Sequence, residues 1–189
     1  MREQVNGGMR PWKVVSFHTD DVLYKWHIER LRASLIEFGI DSYIEEIPHR
    51  SSWLDHANYK PVFILKCLEM FDENIVWLDA DAIVREYPVL FDDMEADIAV
   101  HYKGGSELLG GTVYVANNES GRNVAVEWVK EIERYGSHQN DQQTLQRLLS
   151  RSNYKVTTLP APYTLIFDLM SHLGPPVIEH FQASRKGRR

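Results

Sequence analysis

The sequence predicts a single α/β domain: a central mixed, mainly parallel sheet flanked by helices. Three observations carry that expectation. Short apolar, β-branched runs alternate with helix-period stretches through the first half of the chain. The third such run, Ile75–Leu78, is apolar at every position, as a strand covered on both faces must be. Later strand-like segments lie closer together in sequence. Not every connection there can be a helical crossover, so the sheet is mixed.

The elements follow in order. "KVVSF" (13–17) is compact and apolar and predicts a buried first strand. "HTDD" comes next, with Thr19, Asp20 and Asp21 all competent to cap a helix. Leu23, His27, Leu31, Leu35 and Phe38 recur every three or four residues, which predicts an amphipathic helix closed by Gly39. "DSYIEEI" (41–47) alternates and predicts a second strand, and "PHRSSWLDHANYKP" (48–61) a loop. Pro61 suits the first turn of the following helix, whose apolar stripe is Phe63, Cys67, Met70 and Phe71. After the third strand, "DIAVHY" (97–102) and "GGTVYVAN" (110–117) predict further strands. Helices are expected over 122–135, with Val124, Trp128, Ile132 and Tyr135 on one side, and over 141–149. "YKVTTL" (154–159) and "PVIEHF" (176–181) are late strands.

The chain has 189 residues, enough for one domain with a sizeable core. Residues 1–12 read as a loose lead-in, 13–183 as the folded domain and 184–189 as a basic C-terminal tail. The net charge of −6 disfavours a nucleic-acid backbone as partner. The tail "SRKGRR" runs against that balance, either as a solvated end or as a phosphate contact. A single cysteine, Cys67, excludes an intrachain disulfide and a zinc cluster. No secretory signal is legible at the start, and no apolar run approaches the ~20 residues of a membrane span. The expected setting is cytoplasmic.

The chemistry concentrates in "IVWLDADAIV" (75–84), where an apolar strand runs into two aspartates. Ligands of open α/β sheets bind beyond the carboxyl ends of the strands, and Asp79 falls at that rim. In an extended segment residues i and i+2 point the same way, so Asp79 and Asp81 converge while Ala80 turns aside. Two carboxylates aimed at one point form an oxygen site for Mg²⁺ or Mn²⁺, whose remaining positions suit phosphate and water. The plainer alternative is a capping Asp79 and a solvated Asp81.

Other residues divide between two roles in the same way. Lys60, ahead of the helix that feeds this strand, either neutralises the carboxylates or touches a diphosphate, or is a surface lysine. His18 and Thr19 follow the first strand and either meet a base or ribose or cap the next helix. Gly110 and Gly111 either admit close backbone approach of a ligand or mark a bulge. Asp141 and Gln142 open a helix, and capping alone would account for Asp141. The loop aromatics Trp53, Tyr59 and Tyr163 either stack on a sugar or cover the core.

"VWLDADAIV" resembles the D-x-D segment of GT-A (Rossmann-like) glycosyltransferases, above all the glycogenin-like and plant cell-wall retaining families. Four further stretches resemble that family in its order: "VVSFHTDDVLYKWHIERLRASL", "YKPVFILKCLEMF", "LLGGTVYVANN" and "NDQQTLQRLL", followed by the closing "VIEHFQASRKG". The resemblance spans 13 to about 187. It implies transfer of a sugar from a nucleoside-diphosphate sugar, a UDP-sugar first, to an acceptor hydroxyl on a glycan, protein or small molecule, with retention. It further implies that His180 completes the metal shell of Asp79 and Asp81, with a hydrogen-bonded core histidine as the alternative. Asp141 and Gln142 would face the donor sugar, and His18, Thr19, Lys60, Asp79, Gly110, Gly111 and Lys186 would bind the donor. Two departures stand out. Leu109-Gly110-Gly111 replaces an Asn-Ser-Gly found in some relatives, removing a polar sugar contact. The closing motif lacks the glycogenin-like Gly and Lys-Pro-Trp spacing, which bears on diphosphate contacts at Ser184, Arg185 and Lys186.

Two rival readings compete. A haloacid-dehalogenase-type phosphohydrolase also follows a strand with D-x-D, but on its first strand and with a threonine after it. Here two strand–helix units precede the motif and Ala82-Ile83 follow. A non-catalytic sugar-nucleotide or glycan-binding domain would keep the metal site and lose turnover.

Overall fold

A computed structural model of the chain describes residues 11–183. The basic tail, including Ser184, Arg185 and Lys186, lies outside the described residues.

Strand β1 (Trp12–Thr19) leads into α1 (Val22–Glu37) and β2 (Ser42–Ile47). A short α2 (Trp53–Ala57) and α3 (Lys60–Met70) then precede β3 (Asn74–Leu78) and β4 (Ala82–Val84). A hairpin of β5 (Ile98–Lys103) and β6 (Glu107–Val115) is followed by α4 (Glu119–Tyr135) and α5 (Asp141–Leu149). The chain closes with β7 (Val156–Thr158), β8 (Leu165–Ile166) and β9 (Ile178–His180).

The main sheet has six strands in the order β2-β1-β3-β6-β5-β7. Pairs β1–β2, β1–β3 and β5–β7 are parallel, and β6 alone runs against its neighbours β3 and β5. The expected mixed, mainly parallel sheet is therefore present, with β3 inside it. A second sheet, β4-β9-β8, stands at the carboxyl end of β3.

Strand alternation sorts the core into two layers. Val14, Val76, Leu78 and Tyr114 face one way and pack with Ile28, Leu31 and Leu35 of α1. Val15, Ile75, Trp77, Val113 and Val115 face the other way, against Phe63 and Cys67 of α3, Trp128 of α4 and Leu145 of α5. Each inner strand thus buries both faces, which is why β3 reads as an unbroken apolar run. Asp21 caps α1, its carboxylate accepting from the amides of Leu23 and Tyr24, and Gly39 adopts a φ of 64° just past the helix end.

Five expectations need correction. Trp12 belongs to β1, paired with Asn74, and not to a lead-in. Residues 48–61 are not all loop: Ser52 caps the five-residue α2, too short for a periodic signal. Strands β4 and β8 escape notice because three and two residues show no alternation. Met70, placed in the apolar stripe of α3, is 48% exposed, because it is the last residue of that helix. Thr19 is a strand residue, so the capping role falls to Asp21 alone of the three candidates.

Trp128 ties α4 to the start of α5. Its indole N–H donates to the Asp141 carbonyl at 3.0 Å and reaches the Thr144 hydroxyl at 3.2 Å, and the ring is fully buried. Trp128→Ala is expected to cost roughly 3–5 kcal/mol of unfolding free energy, measured by urea denaturation. Cys67 is fully inaccessible, and burial pushes its thiol up to about 12. It should therefore resist a thiol reagent at pH 8 in the folded protein and react once denaturant is added; prompt labelling without denaturant would contradict this core.

Candidate functional site

The carboxyl end of β3 delivers Asp79, whose amide donates to the Gly111 carbonyl at 2.9 Å. The chain then turns: the Ala82 amide donates to the Asp79 carbonyl at 2.9 Å. Asp79 and Asp81 therefore converge across a turn and not along one extended segment, as the sequence argument assumed. Ala80 points away into the core as expected. Beyond the turn β4 pairs antiparallel with β9, placing Ala82 opposite His180. That pairing brings a histidine from the far end of the chain to the aspartates. One ligand atom each of Asp79, Asp81 and His180 lies within 4.8 Å of the others.

Each of these side chains has one atom fixed. The Trp77 indole N–H donates to Asp79 Oδ1 at 2.8 Å. The Ala183 amide donates to Asp81 Oδ2 at 2.6 Å. His180 Nε2 lies 2.8 Å from the Thr112 hydroxyl. The opposite atoms, Asp81 Oδ1 and His180 Nδ1, are buried without hydrogen-bond partners and face each other at 3.9 Å, beyond hydrogen-bond reach. Buried polar atoms left unpaired are costly and call for an explanation. A divalent cation between them supplies one, and two carboxylates with an imidazole suit Mn²⁺ or Mg²⁺. The residues present fit a metal.

Electrostatics separate the two aspartates. Burial and the neighbouring Asp81 charge push Asp79 above the usual carboxylate range, against the pull of Lys60 and His180. The Asp79 side chain keeps 39% exposure, so water softens that push. Burial works upward on Asp81 too, but His180, the Ala183 amide and His27 outweigh it and hold Asp81 below that range.

Lys60 is no surface lysine. It starts α3, is 5% exposed, and its ammonium reaches Asp141 Oδ2 at 2.6 Å, Asp79 Oδ1 at 3.0 Å and the Gly110 carbonyl at 2.8 Å. Burial favours the neutral amine, but the two carboxylates prevail and raise its pKa above the ordinary lysine value. Asp141 is not the helix cap: Asn140 caps α5 in a capping box with Gln143, leaving the Asp141 carboxylate for Lys60. Gln142 Oε1 accepts from the Gly110 amide at 3.1 Å. The glycines make room for these side chains. A Cβ on Gly110 would lie 3.3 Å from Asp141 Oδ2, and one on Gly111 2.9 Å from His180 Cε1.

Two cavities flank this cluster. One, of about 410 Å³, is lined by His18, Thr19, Arg50, Trp53, Asp79 and Asp81. The other, of about 280 Å³, is lined by Gly110, Gly111, Asp141, Gln142, His180 and Trp53. Lys60, Asp79, Asp141 and Trp53 belong to both. Ten of the eleven residues singled out from the sequence thus meet at one rim, and the eleventh, Lys186, is outside the described residues. His18 turns its Nδ1 to the Thr19 carbonyl at 3.0 Å. Of the loop aromatics, Tyr163 is core, its ring packed edge-on to Phe91, whereas Trp53 stands between the cavities. Sequence reasoning missed Trp77, Thr112 and Asn140; only Asn140, one residue before a helix start, carried a usable signal.

No family model matches the chain, and no curated protein matches it. Solved structures do. A glycosyltransferase involved in the glycosylation of the major capsid of PBCV-1 superposes with a TM-score of 0.72 at 14% identity, covering 94% of this chain and 97% of its own. The galactosyltransferase LgtC, solved with donor and acceptor sugar analogs, gives 0.59 at 12% identity, with 93% and 94% covered. This chain has the fold of these glycosyltransferases. GlyE of Streptococcus pneumoniae TIGR4 shares it too, at a TM-score of 0.63 and 15% identity over 93% of this chain, which spans 55% of GlyE. Among the described residues no helix is long and apolar enough to cross a membrane.

Lys60→Met should expose how much the site depends on this ammonium. It strands two carboxylates, one of them buried, and should cost roughly 3–5 kcal/mol in urea unfolding. Adding Asp141→Asn should restore part of that loss, a non-additivity read from a double-mutant cycle.

Proposed function

We propose that the chain is a metal-dependent glycosyltransferase that moves a sugar from a nucleoside-diphosphate sugar, a UDP-sugar first, to an acceptor hydroxyl with retention. The observation that carries this reading is the pair of unpaired buried atoms, Asp81 Oδ1 and His180 Nδ1, beside Asp79 at the junction of two cavities. The fold shared with glycosyltransferases supports it.

In this reading Asp79, Asp81 and His180 hold Mn²⁺ or Mg²⁺, which when bound supplies Lewis-acid help to the departing diphosphate. The larger cavity takes the nucleotide, with His18 and Thr19 at base or ribose. The smaller takes the donor sugar and the incoming hydroxyl, between Gly110, Gly111, Asp141 and Gln142. As the bond to phosphate breaks, positive charge grows on the sugar ring, and Asp141 and the Gln142 amide dipole are placed to stabilise it. Lys60 holds Asp141 in place and balances Asp79, so the site does not carry three unopposed carboxylates when empty. A carboxylate already ion-paired serves charge stabilisation, which supports retention over activation of the acceptor from the opposite face. Lys186 is assigned to the diphosphate on the resemblance alone. A phosphohydrolase reading is disfavoured, because its nucleophilic aspartate stands on a first strand and Asp79 follows the third strand of the chain.

Thermal unfolding of the wild type and of Asp81→Asn, with a panel of nucleoside diphosphates and with or without Mn²⁺, tests the reading. A ligand present at one hundred times its Kd adds about 2.7 kcal/mol. The expected outcome is one diphosphate that stabilises the wild type only with metal and the variant not at all. Stabilisation by metal with a phosphate mimic, and by no nucleotide, would overturn it.

A further inference from the structure

We infer that Thr112 is a positioning residue for the metal site, fixing which imidazole nitrogen His180 presents to the cation. The inference rests on the metal-site reading above and extends it to a residue outside the ligand set.

A neutral imidazole carries one N–H and one lone pair, and a metal takes the lone pair. In His180 the two nitrogens have unlike surroundings. Nδ1 is buried, unpaired and 3.9 Å from Asp81 Oδ1, so it is the nitrogen turned toward the ligand cluster. Nε2 points the other way, 2.8 Å from the hydroxyl of Thr112. For Nδ1 to offer its lone pair, the proton must sit on Nε2 and be donated to an acceptor. Among the described residues the Thr112 hydroxyl is that acceptor.

The ring cannot easily find another. It is 2% exposed, and its Cε1, Nδ1 and Nε2 lie within 3.3 Å of where a Cβ on Gly111 would stand. Glycine at 111 lets the imidazole lie against the backbone of β6, and the next residue along that strand supplies the hydroxyl. Thr112 is itself fully buried and held opposite Leu78 in the β3–β6 ladder. The same ladder carries Asp79, whose amide is bonded to the Gly111 carbonyl. The hydroxyl is thus fixed relative to the aspartates by the sheet. It is also a hydroxyl by need: it accepts from Nε2–H when Nδ1 binds a cation and can donate to Nε2 when Nδ1 carries the proton. A carbonyl would serve only the first state and a backbone amide only the second.

Outer partners of metal-bound histidines typically change metal affinity by about 10–100-fold when removed. The test is Mn²⁺ binding followed by the electron paramagnetic resonance signal of the free ion, with Mn²⁺ alone as probe. Wild type, Thr112→Val and Thr112→Ser are compared, with thermal unfolding in the absence of metal as the folding control. Valine keeps the shape and removes the hydroxyl; serine keeps the hydroxyl and removes the methyl. The expected result is a Kd weakened about 10–100-fold in Thr112→Val and recovered in Thr112→Ser, with both variants folded. Wild-type affinity in the valine variant overturns the positioning role, as does equal weakening in both, which would assign the effect to packing of the methyl. Absence of Mn²⁺ binding in the wild type itself would overturn the metal-site reading along with this one.

Discussion

One buried ammonium holds the functional rim together. Lys60 is the first residue of α3, yet its side chain ends between Asp79 at the end of β3, Asp141 at the start of α5 and the Gly110 carbonyl in β6. Four elements distant in sequence thus share one charge. A lone buried lysine would be costly; with two carboxylates and a carbonyl it is satisfied, and only geometry that keeps all three in place satisfies it. The Trp77 ring lies 5.2 Å from the same ammonium, while its N–H holds Asp79. Both cavities take their shared wall from this cluster.

The rest of the site depends on a second constraint, the small sheet at the carboxyl end of β3. Strand β4 exists only because the chain turns sharply at Asp79–Ala82 and then finds β9. That pairing sets His180 beside Asp81, and the residues after it return to the same place. Phe181 donates its amide to the Asp81 carbonyl at 3.2 Å, Gln182 takes a φ of 54°, and the Ala183 amide reaches the Asp81 carboxylate. A positive φ at a residue other than glycine is uncommon and mildly strained. Here it turns the backbone so that one segment contributes both an imidazole and an amide to the aspartates. The Phe181 ring is packed between Arg30, 4.5 Å away, and Phe167, 5.4 Å away, which anchors that segment to α1 and to the end of β8.

Much of this was legible in the sequence because burial leaves a pattern. Ile75–Leu78 is apolar throughout since two layers of helices cover it, and that alone located the sheet's middle and the rim where Asp79 stands. Asp79 and Asp81 were legible as a pair, though the turn that joins them was not. Lys60 was ambiguous because a lysine before a helix is usually solvated; its burial is decided by Asp141, eighty-one positions later in the numbering. His180 carried no local signal, since one histidine at a strand end looks like any other, and only the family resemblance raised it. For Asp141 capping stood as the alternative to a site role, and the structure removes that alternative because Asn140, one residue earlier, satisfies the same rule. Thr112 was silent: a β-branched residue inside a strand is ordinary, and its role follows from what lies across the sheet.

Strand β6 runs opposite to both neighbours, so its beginning, not its end, lies at the carboxyl rim. Leu109, Gly110 and Gly111 thereby line the smaller cavity where the β5–β6 register shifts, while the hairpin that enters β6 sits at its mouth, between Lys103 and Glu107. Gly104 and Gly105, both at positive φ, form the tip of that hairpin. The cavity wall is held by the bonds of Gly110 to Lys60 and Gln142 and of Gly111 to Asp79, and the adjoining lip is a turn of a kind that tolerates insertion. Closing a longer loop there costs only about 0.6 kcal/mol per doubling of its length. Lengthening this one hairpin would reshape the entrance of the smaller cavity while leaving the paired strands on either side in register, which makes it the natural place for a change in what that cavity admits to be written into this fold.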